Sequence, residues 1–222
     1  RATLDTFTDR RVRIVGQAVA DALAETEADA AAADAGDRPV LVGYDARPTS
    51  ERFAESLAEV LAGNGFDVLL PERDCPTPLV AHAIVERDAA GALMVTASHN
   101  PPEYNGVKFI PEDGAPALPA VTERIEANLR EPALDAAGSA DEGDIRRVDL
   151  VTPHAEHAHE LVGGDLSGLT VAYDAMHGSG RGVTDALLES AGAEIERLRC
   201  ERDPEFGGGA PEPTATPTAW RS

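Results

Sequence analysis

The sequence predicts an α/β protein: a mixed, mostly parallel sheet with helices on both faces, followed by an incomplete second α/β unit. Three observations carry this expectation. Short apolar runs alternate along the chain with stretches whose apolar residues recur every three or four positions. The 222 residues are 42% hydrophobic, enough for a core despite 27% charged residues. Glycine, proline and asparagine punctuate the boundaries between runs, as turns between strands and helices require.

The elements follow in order. From Thr8, read as the cap, Val12, Val15, Val19 and Leu23 recur at helical spacing, and the helix is expected to dissolve into the acidic, alanine-rich stretch 25–37, an exposed tail of helix plus loop. Residues 39–44 (PVLVGY) read as a buried strand. Ser50 is expected to cap a helix presenting Phe53, Leu57, Val60 and Leu61, stopped by Gly63-Asn64-Gly65. A strand at 68–70, a helix at 79–87 after the Pro76-Thr77-Pro78 turn, and a buried strand at 92–96 come next. Asn105-Gly106 signals a tight turn before a strand at 107–110. Pro119 opens a helix carrying Val121, Ile125 and Leu129. The first domain is therefore expected over 1–131, a linker rich in Ala, Gly, Ser and acid over 132–150, and a partial second domain over 151–222. The latter offers helices at 153–162 and 183–191 and strands at 169–173 and 195–198.

The charge balance excludes several roles. Nineteen Lys+Arg stand against 40 Asp+Glu, a net charge of −21, and Lys108 is the only lysine. Such a surface repels nucleic-acid phosphates and anionic membranes, so neither is expected as a partner. The acid excess with almost no lysine reads as adaptation to high salt, with an ordinary acidic cytosolic protein as the alternative. Cys75 and Cys200 are far apart and outside any metal-ligand spacing, which suits reduced cysteines in the cytoplasm. No apolar run approaches the ~20 residues of a membrane span. His154, His157 and His159 read as a solvated helix face rather than a metal cluster, because only the first two share a face and no His-Glu-x-x-His is present. The glycines at 178–182 read as a tight strand-to-helix turn, lacking the Lys-Ser/Thr ending of a phosphate-binding P-loop. A Ser98-His-Asp hydrolase triad is disfavoured, since no Gly-x-Ser-x-Gly elbow exists.

The segment with the most chemistry is Thr96-Ala97-Ser98-His99-Asn100-Pro101-Pro102, directly after a buried strand, followed by Tyr104-Asn105-Gly106-Val107-Lys108. Loops at the carboxyl ends of such strands are where open α/β sheets hold ligands. The bland alternative is a polar turn in which Ser98 and Asn100 satisfy local backbone groups. The unbroken string TASHNPPEYNGVKF resembles the active-site loop of the α-D-phosphohexomutases, the family of phosphoglucomutase and phosphomannomutase, and suggests a haloarchaeal-type member. Residues 42–47 (VGYDAR), Pro76-Thr77-Pro78, 174–180 (DAMHGSG) and 203–208 (DPEFGG) are similar to further motifs of that family, and Arg1-Ala2 to the end of its N-terminal Gly-Thr-x-Gly-x-Arg motif.

The resemblance implies a phosphoserine at Ser98 that gives its phosphoryl group to a hexose phosphate, forms a bound hexose 1,6-bisphosphate, and recovers the other phosphoryl. Lys108, Arg47 and Arg1 are the cations expected around it. Either Lys108 or His99 is expected to handle the hydroxyl proton, and Thr96, Asn100 and Asn105 to shape the phosphate loop. Mg²⁺ is expected through the phosphate on Ser98 and through a loop of the form Asp-Gly-Asp-x-Asp-Arg, which this sequence does not contain. The similar string at 141–146 lies ahead of the second-domain strand and is not that loop. The resemblance thus covers about two of the family's four domains, and the chain alone is expected to be a truncated form unable to complete the cycle. Two alternatives remain open: a phosphoglucosamine mutase, with sugar choice lying in absent parts, and a non-catalytic phosphosugar-binding or interaction module.

Overall fold

The computed structural model of the chain describes residues 2–3, 5–29, 38–131 and 143–213. Its strands are β1 (Ala2–Thr3), β2 (Val40–Tyr44), β3 (Val68–Pro71), β4 (Gly91–Val95), β5 (Tyr104–Asn105), β6 (Val107–Pro111), β7 (Ile145–Val148), β8 (Thr170–Asp174) and β9 (Glu194–Leu198). Its helices are α1 (Asp9–Asp29), α2 (Ser50–Gly63), α3 (Thr77–Glu86), α4 (Pro119–Ala127), α5 (Val151–Val162) and α6 (Thr184–Ser190). Five strands form the main sheet in the order β6-β4-β2-β3-β7. All neighbours run parallel except β6, which is antiparallel to β4.

The two-residue period of the strands sorts the core onto both faces. Val40 and Val42 of β2 and Leu93 and Val95 of β4 pack against Val12 and Val19 of α1 and Phe53, Leu57 and Leu61 of α2. Leu41, Ala92 and Met94 point the other way, onto Leu79, Val80 and Ile84 of α3. Gly43 lets α3 rest directly on β2: a Cβ there would stand 2.5 Å from Val80 Cγ2 and 2.9 Å from Met94 Sδ. The mostly parallel sheet with two covered faces is thus as the sequence predicts. It brings the carboxyl ends of β2 and β4 side by side.

Helix α1 carries on into the acidic stretch as far as Asp29, alanine and glutamate being strong helix formers; residues 30–37 lie outside the described residues. Several local expectations are corrected. Ser50 does not cap α2; it is buried, and its hydroxyl donates to Asp45 Oδ1 at 2.7 Å. Asn105-Gly106 makes no two-residue turn. The whole span from Thr96 to Gly106 reverses the chain, closed by Thr96 N–H donating to Gly106 O at 2.9 Å, while β5 pairs with β1. Part of the expected linker is a strand. β7 pairs with β3 at the sheet edge, with Ile-Arg-Arg-Val supplying a short, charged edge of the kind that resists further pairing. The rest of the linker, 132–142, lies outside the described residues.

The second unit contains a two-stranded parallel sheet, β8-β9, with α6 between its strands. Helix α5 meets α3 through histidines rather than standing free. The His82 ring centroid lies 4.7 Å from that of His157 and 5.5 Å from that of His154. Burial, and the neighbouring imidazoles after it, hold His82 and His154 below the ordinary histidine range. Among the described residues no group of three His, Cys, Asp or Glu is arranged to hold a metal ion. Cys75 and Cys200 are free thiols, the first pushed up to about 12 by burial. No described helix is long and apolar enough to cross a membrane.

Candidate active site

Ser98 follows β4 with φ +62°, a left-handed conformation that costs a non-glycine residue about 1–3 kcal/mol unless its surroundings fix it. Two devices fix it. Thr96 Oγ1 accepts the Ser98 N–H at 2.9 Å and donates to Asp45 Oδ2 at 2.7 Å, tying the loop to the end of β2. Arg47, fully buried, grips the loop from beneath. Its Nη2 donates to Ser98 O and Asn100 O, both at 2.8 Å, and its Nη1 to Pro101 O at 2.6 Å and Tyr104 O at 3.1 Å. Its Nε donates to Asp45 Oδ2 at 3.0 Å. Every donor of the guanidinium fork is thereby engaged.

This arrangement engages several of the polar side chains singled out in the sequence. Arg47 is not a free cation for a phosphate; it is the clamp that gives the loop its shape, because four converging carbonyls and a carboxylate satisfy the whole fork. Thr96 is buried, and its hydroxyl is used by Asp45 and the Ser98 backbone, so it acts on the shape of the loop. Asn105 is also buried: its Nδ2 donates to Ser50 Oγ at 3.0 Å and its Oδ1 accepts the Gly106 N–H at 2.8 Å. Asn100 contributes its backbone oxygen to the clamp and its N–H to Ala97 O.

The Ser98 loop opens onto a cavity of about 400 Å³ between the two units. The first unit lines it with Asp45, Thr77, Met94, Thr96, Ser98 and His99. The second supplies Tyr173, Asp174, Gly178, Ser179 and Phe206. His99 is the imidazole on this wall: its Nδ1 lies 3.4 Å from Ser98 Oγ and its Nε2 lies 3.5 Å from Glu212 Oε2. Phe206 inserts from the second unit over the clamp, its ring centroid 5.3 Å from Arg47 Cζ.

Lys108 is close by but outside this wall. The β4–β6 register sets it opposite Met94, on the same face of the sheet. Its side chain is exposed, makes no hydrogen bond or ion pair among the described residues, and lines an adjoining groove that shares Thr77 with the Ser98 cavity. Arg1 lies outside the described residues.

The described residues do not form a magnesium site. Mg²⁺ requires an octahedron of oxygen ligands, and both carboxylates that line the cavity are committed elsewhere. The Asp45 oxygens accept from Arg47, Ser50 and Thr96. Asp174 is paired with Arg199, whose guanidinium holds that carboxyl below the usual range.

Sequence reasoning missed a residue pair across the units. Arg181, after the His177-Gly178 loop, donates from Nη2 to Asp74 Oδ1 at 2.6 Å and from Nη1 to Asp74 Oδ2 at 2.8 Å. Both side chains are at least nine-tenths buried. The only signal in the sequence is an arginine directly after a glycine-rich loop, which on its own reads as surface.

A serine in a clamped, strained loop at the end of a central parallel strand, facing a glycine-rich loop of a second unit, defines a two-unit α/β protein with its pocket at the seam. Residues 1–135 match the model of phosphoglucomutase/phosphomannomutase alpha/beta/alpha domain I, and residues 154–222 that of domain II. The chain belongs to the phosphoglucomutase/phosphomannomutase family. Over 166 residues it is 37% identical to a phosphoglucosamine mutase of Clavibacter sepedonicus, covering 74% of this chain and 36% of the relative. Over 172 residues it is 36% identical to a phosphoglucosamine mutase of Synechococcus sp. (strain RCC307), covering 76% of this chain and 36% of that protein. The crystal structure of a putative phosphomannomutase from Thermus thermophilus superposes with a TM-score of 0.79 at 32% identity, over 96% of this chain and 47% of that one. These relatives are bacterial, and the chain spans about a third of the length of the curated ones.

Proposed function

We propose that the protein carrying this chain interconverts hexose 1-phosphates and 6-phosphates, with Ser98 as the phosphoryl carrier. The observation that carries this reading is the left-handed Ser98, held by Arg47 and Thr96 at the mouth of a cavity of sugar-phosphate size. In the first half-reaction the bond between phosphorus and Ser98 Oγ breaks as a hydroxyl oxygen of the sugar phosphate bonds to phosphorus. The hydroxyl proton passes to a base. The resulting 1,6-bisphosphate turns over, and its other phosphoryl returns to Ser98 Oγ. Catalysis of such transfers rests on positioning and on neutralising the equatorial oxygens. His99, 3.4 Å from the serine oxygen, suits the proton transfer, and Lys108, with a flexible stem and an ammonium unpaired among the described residues, suits the charge. A phosphate on Ser98 would itself supply oxygen ligands to a magnesium ion.

Lys108→Ala is expected to lower kcat by about 10²–10³, the usual loss for one charge-stabilising group, while leaving the melting temperature nearly unchanged, because the side chain is exposed and unpaired among the described residues. Following hexose 1-phosphate conversion by ³¹P NMR with the intact protein checks this; full activity in the variant removes Lys108 from the mechanism. Absence of any conversion of glucose, mannose or glucosamine phosphates by the wild type would reject the mutase reading itself. A second reading within the family, a phosphoglucosamine mutase, is favoured by the names of the curated relatives. Relative rates with glucosamine 1-phosphate and glucose 1-phosphate in the same assay separate the two.

The charge of −21 with a single lysine supports a halophilic surface, and the two free cysteines suit a cytoplasmic setting. Raising KCl from about 0.1 to 1 M shortens the screening length from about 10 to about 3 Å and relieves acidic self-repulsion. The melting temperature is therefore expected to climb steadily over that range. A flat or falling curve contradicts the halophilic assignment.

A further inference from the structure

We propose that Asp74 and Arg181 form a positioning pair that sets the gap between Ser98 and the opposite wall of the cavity, and with it the affinity for the phosphorylated substrate. The inference rests on the reading of Ser98 as the phosphoryl carrier. Asp74 precedes Cys75 and the start of α3 in the first unit, and Arg181 ends the loop after β8 in the second. Their two parallel hydrogen bonds, at 2.6 and 2.8 Å, have the bidentate geometry that fixes orientation as well as distance.

The same guanidinium folds back on its own loop, Arg181 Nη1 donating to Gly178 O at 2.8 Å. Arg73, the neighbour of Asp74, donates from Nη2 to Arg181 O at 2.8 Å. Asp74 and Arg73 thus both hold Arg181 from the first unit, and Arg181 in turn holds the backbone that bears Gly178 and Ser179, two residues that line the cavity with Ser98. The loop needs such support. Met176 and His177 both adopt left-handed backbone conformations, with φ +49° and +59°. Neither Asp74 nor Arg181 lines the cavity, so the pair acts on substrate only through the wall it holds.

A wall that contacts ground state and transition state alike contributes uniform binding, whose loss raises KM and leaves kcat in place. In the intact protein, Arg181→Ala is expected to raise KM for the hexose 1-phosphate about ten-fold or more, with kcat within a few-fold of wild type. The phosphate content of Ser98, read by mass spectrometry, is expected to stay unchanged. Millimolar guanidinium chloride is expected to restore part of the KM, and an equal concentration of NaCl is not. Asp74→Asn, which keeps volume and one acceptor, is expected to shift KM in the same direction and serves where Arg181→Ala does not fold. An unchanged KM in either folded variant, or a fall in kcat alone, overturns the proposal. Wild-type protein with no phosphate on Ser98 overturns the carrier reading instead, a result distinct from a KM that fails to move.

Discussion

Ser98→Ala is expected to abolish phosphohexose interconversion in the intact protein, a loss of at least about 10⁴-fold, while leaving the fold in place. The size follows from the chemistry. On the proposed reading the Ser98 hydroxyl divides a very difficult transfer into two steps, and the hydroxyl two residues before it, Thr96, is consumed by Asp45 and the loop backbone. The fold is expected to survive because, among the described residues, the Ser98 hydroxyl has no partner beyond the 3.4 Å contact to His99. The loop is held through the Ser98 backbone, which alanine retains. Coupled turnover and a thermal melt of the same preparation check both halves. A variant that turns over at a tenth of the wild-type rate contradicts the assignment.

Arg47→Ala is expected to be the most destabilising single change in the site, by about 3–5 kcal/mol, the range for breaking a buried ion pair and leaving its partner uncompensated. Against a total stability of about 5–15 kcal/mol this is a large share, and the melting temperature is expected to fall by about 10–20 °C. The argument is geometric. The guanidinium is fully buried and is the common partner of Asp45 and the carbonyls of Ser98, Asn100, Pro101 and Tyr104. Its removal leaves a buried carboxylate and four acceptors without their donor, and frees Ser98 to leave its left-handed conformation. Arg47→Lys is expected to fall between, since one ammonium reaches some of these acceptors but not the whole fork. A melt of Arg47→Ala indistinguishable from wild type sinks the clamp.

The sheet was largely legible in the sequence because buried parallel strands are continuous apolar runs, and Val40–Tyr44 and Gly91–Val95 are such runs. The strand at Ile145–Val148 was not. Two arginines interrupt it, and its place at an edge depends on Val68–Pro71 being there to pair with. The loop at Ser98 was legible as a string, but the division of labour within it was not. Arg47 and Lys108 both read as cations near a phosphate. Only the folded chain shows that one is spent on four carbonyls brought together by the reversal from Thr96 to Gly106, while the other makes no hydrogen bond or ion pair among the described residues. Asp74 and Arg181 were hidden for a similar reason: 107 positions separate them, and neither belongs to a pattern that a sequence displays. Long-range polar pairs leave no periodicity, whereas apolar packing does.

The lone lysine of an otherwise arginine-based chain lies on the strand that leaves the Ser98 loop, and a buried arginine holds that loop where the two units meet. The serine of that loop is the proposed phosphoryl carrier. The most direct test is to incubate the intact protein with a hexose 1,6-bisphosphate and map the phosphorylated peptide by mass spectrometry. The account predicts one phosphoryl group, on Ser98, discharged on adding hexose 1-phosphate. Stable phosphorylation at another residue, or none on Ser98 under turnover, contradicts it.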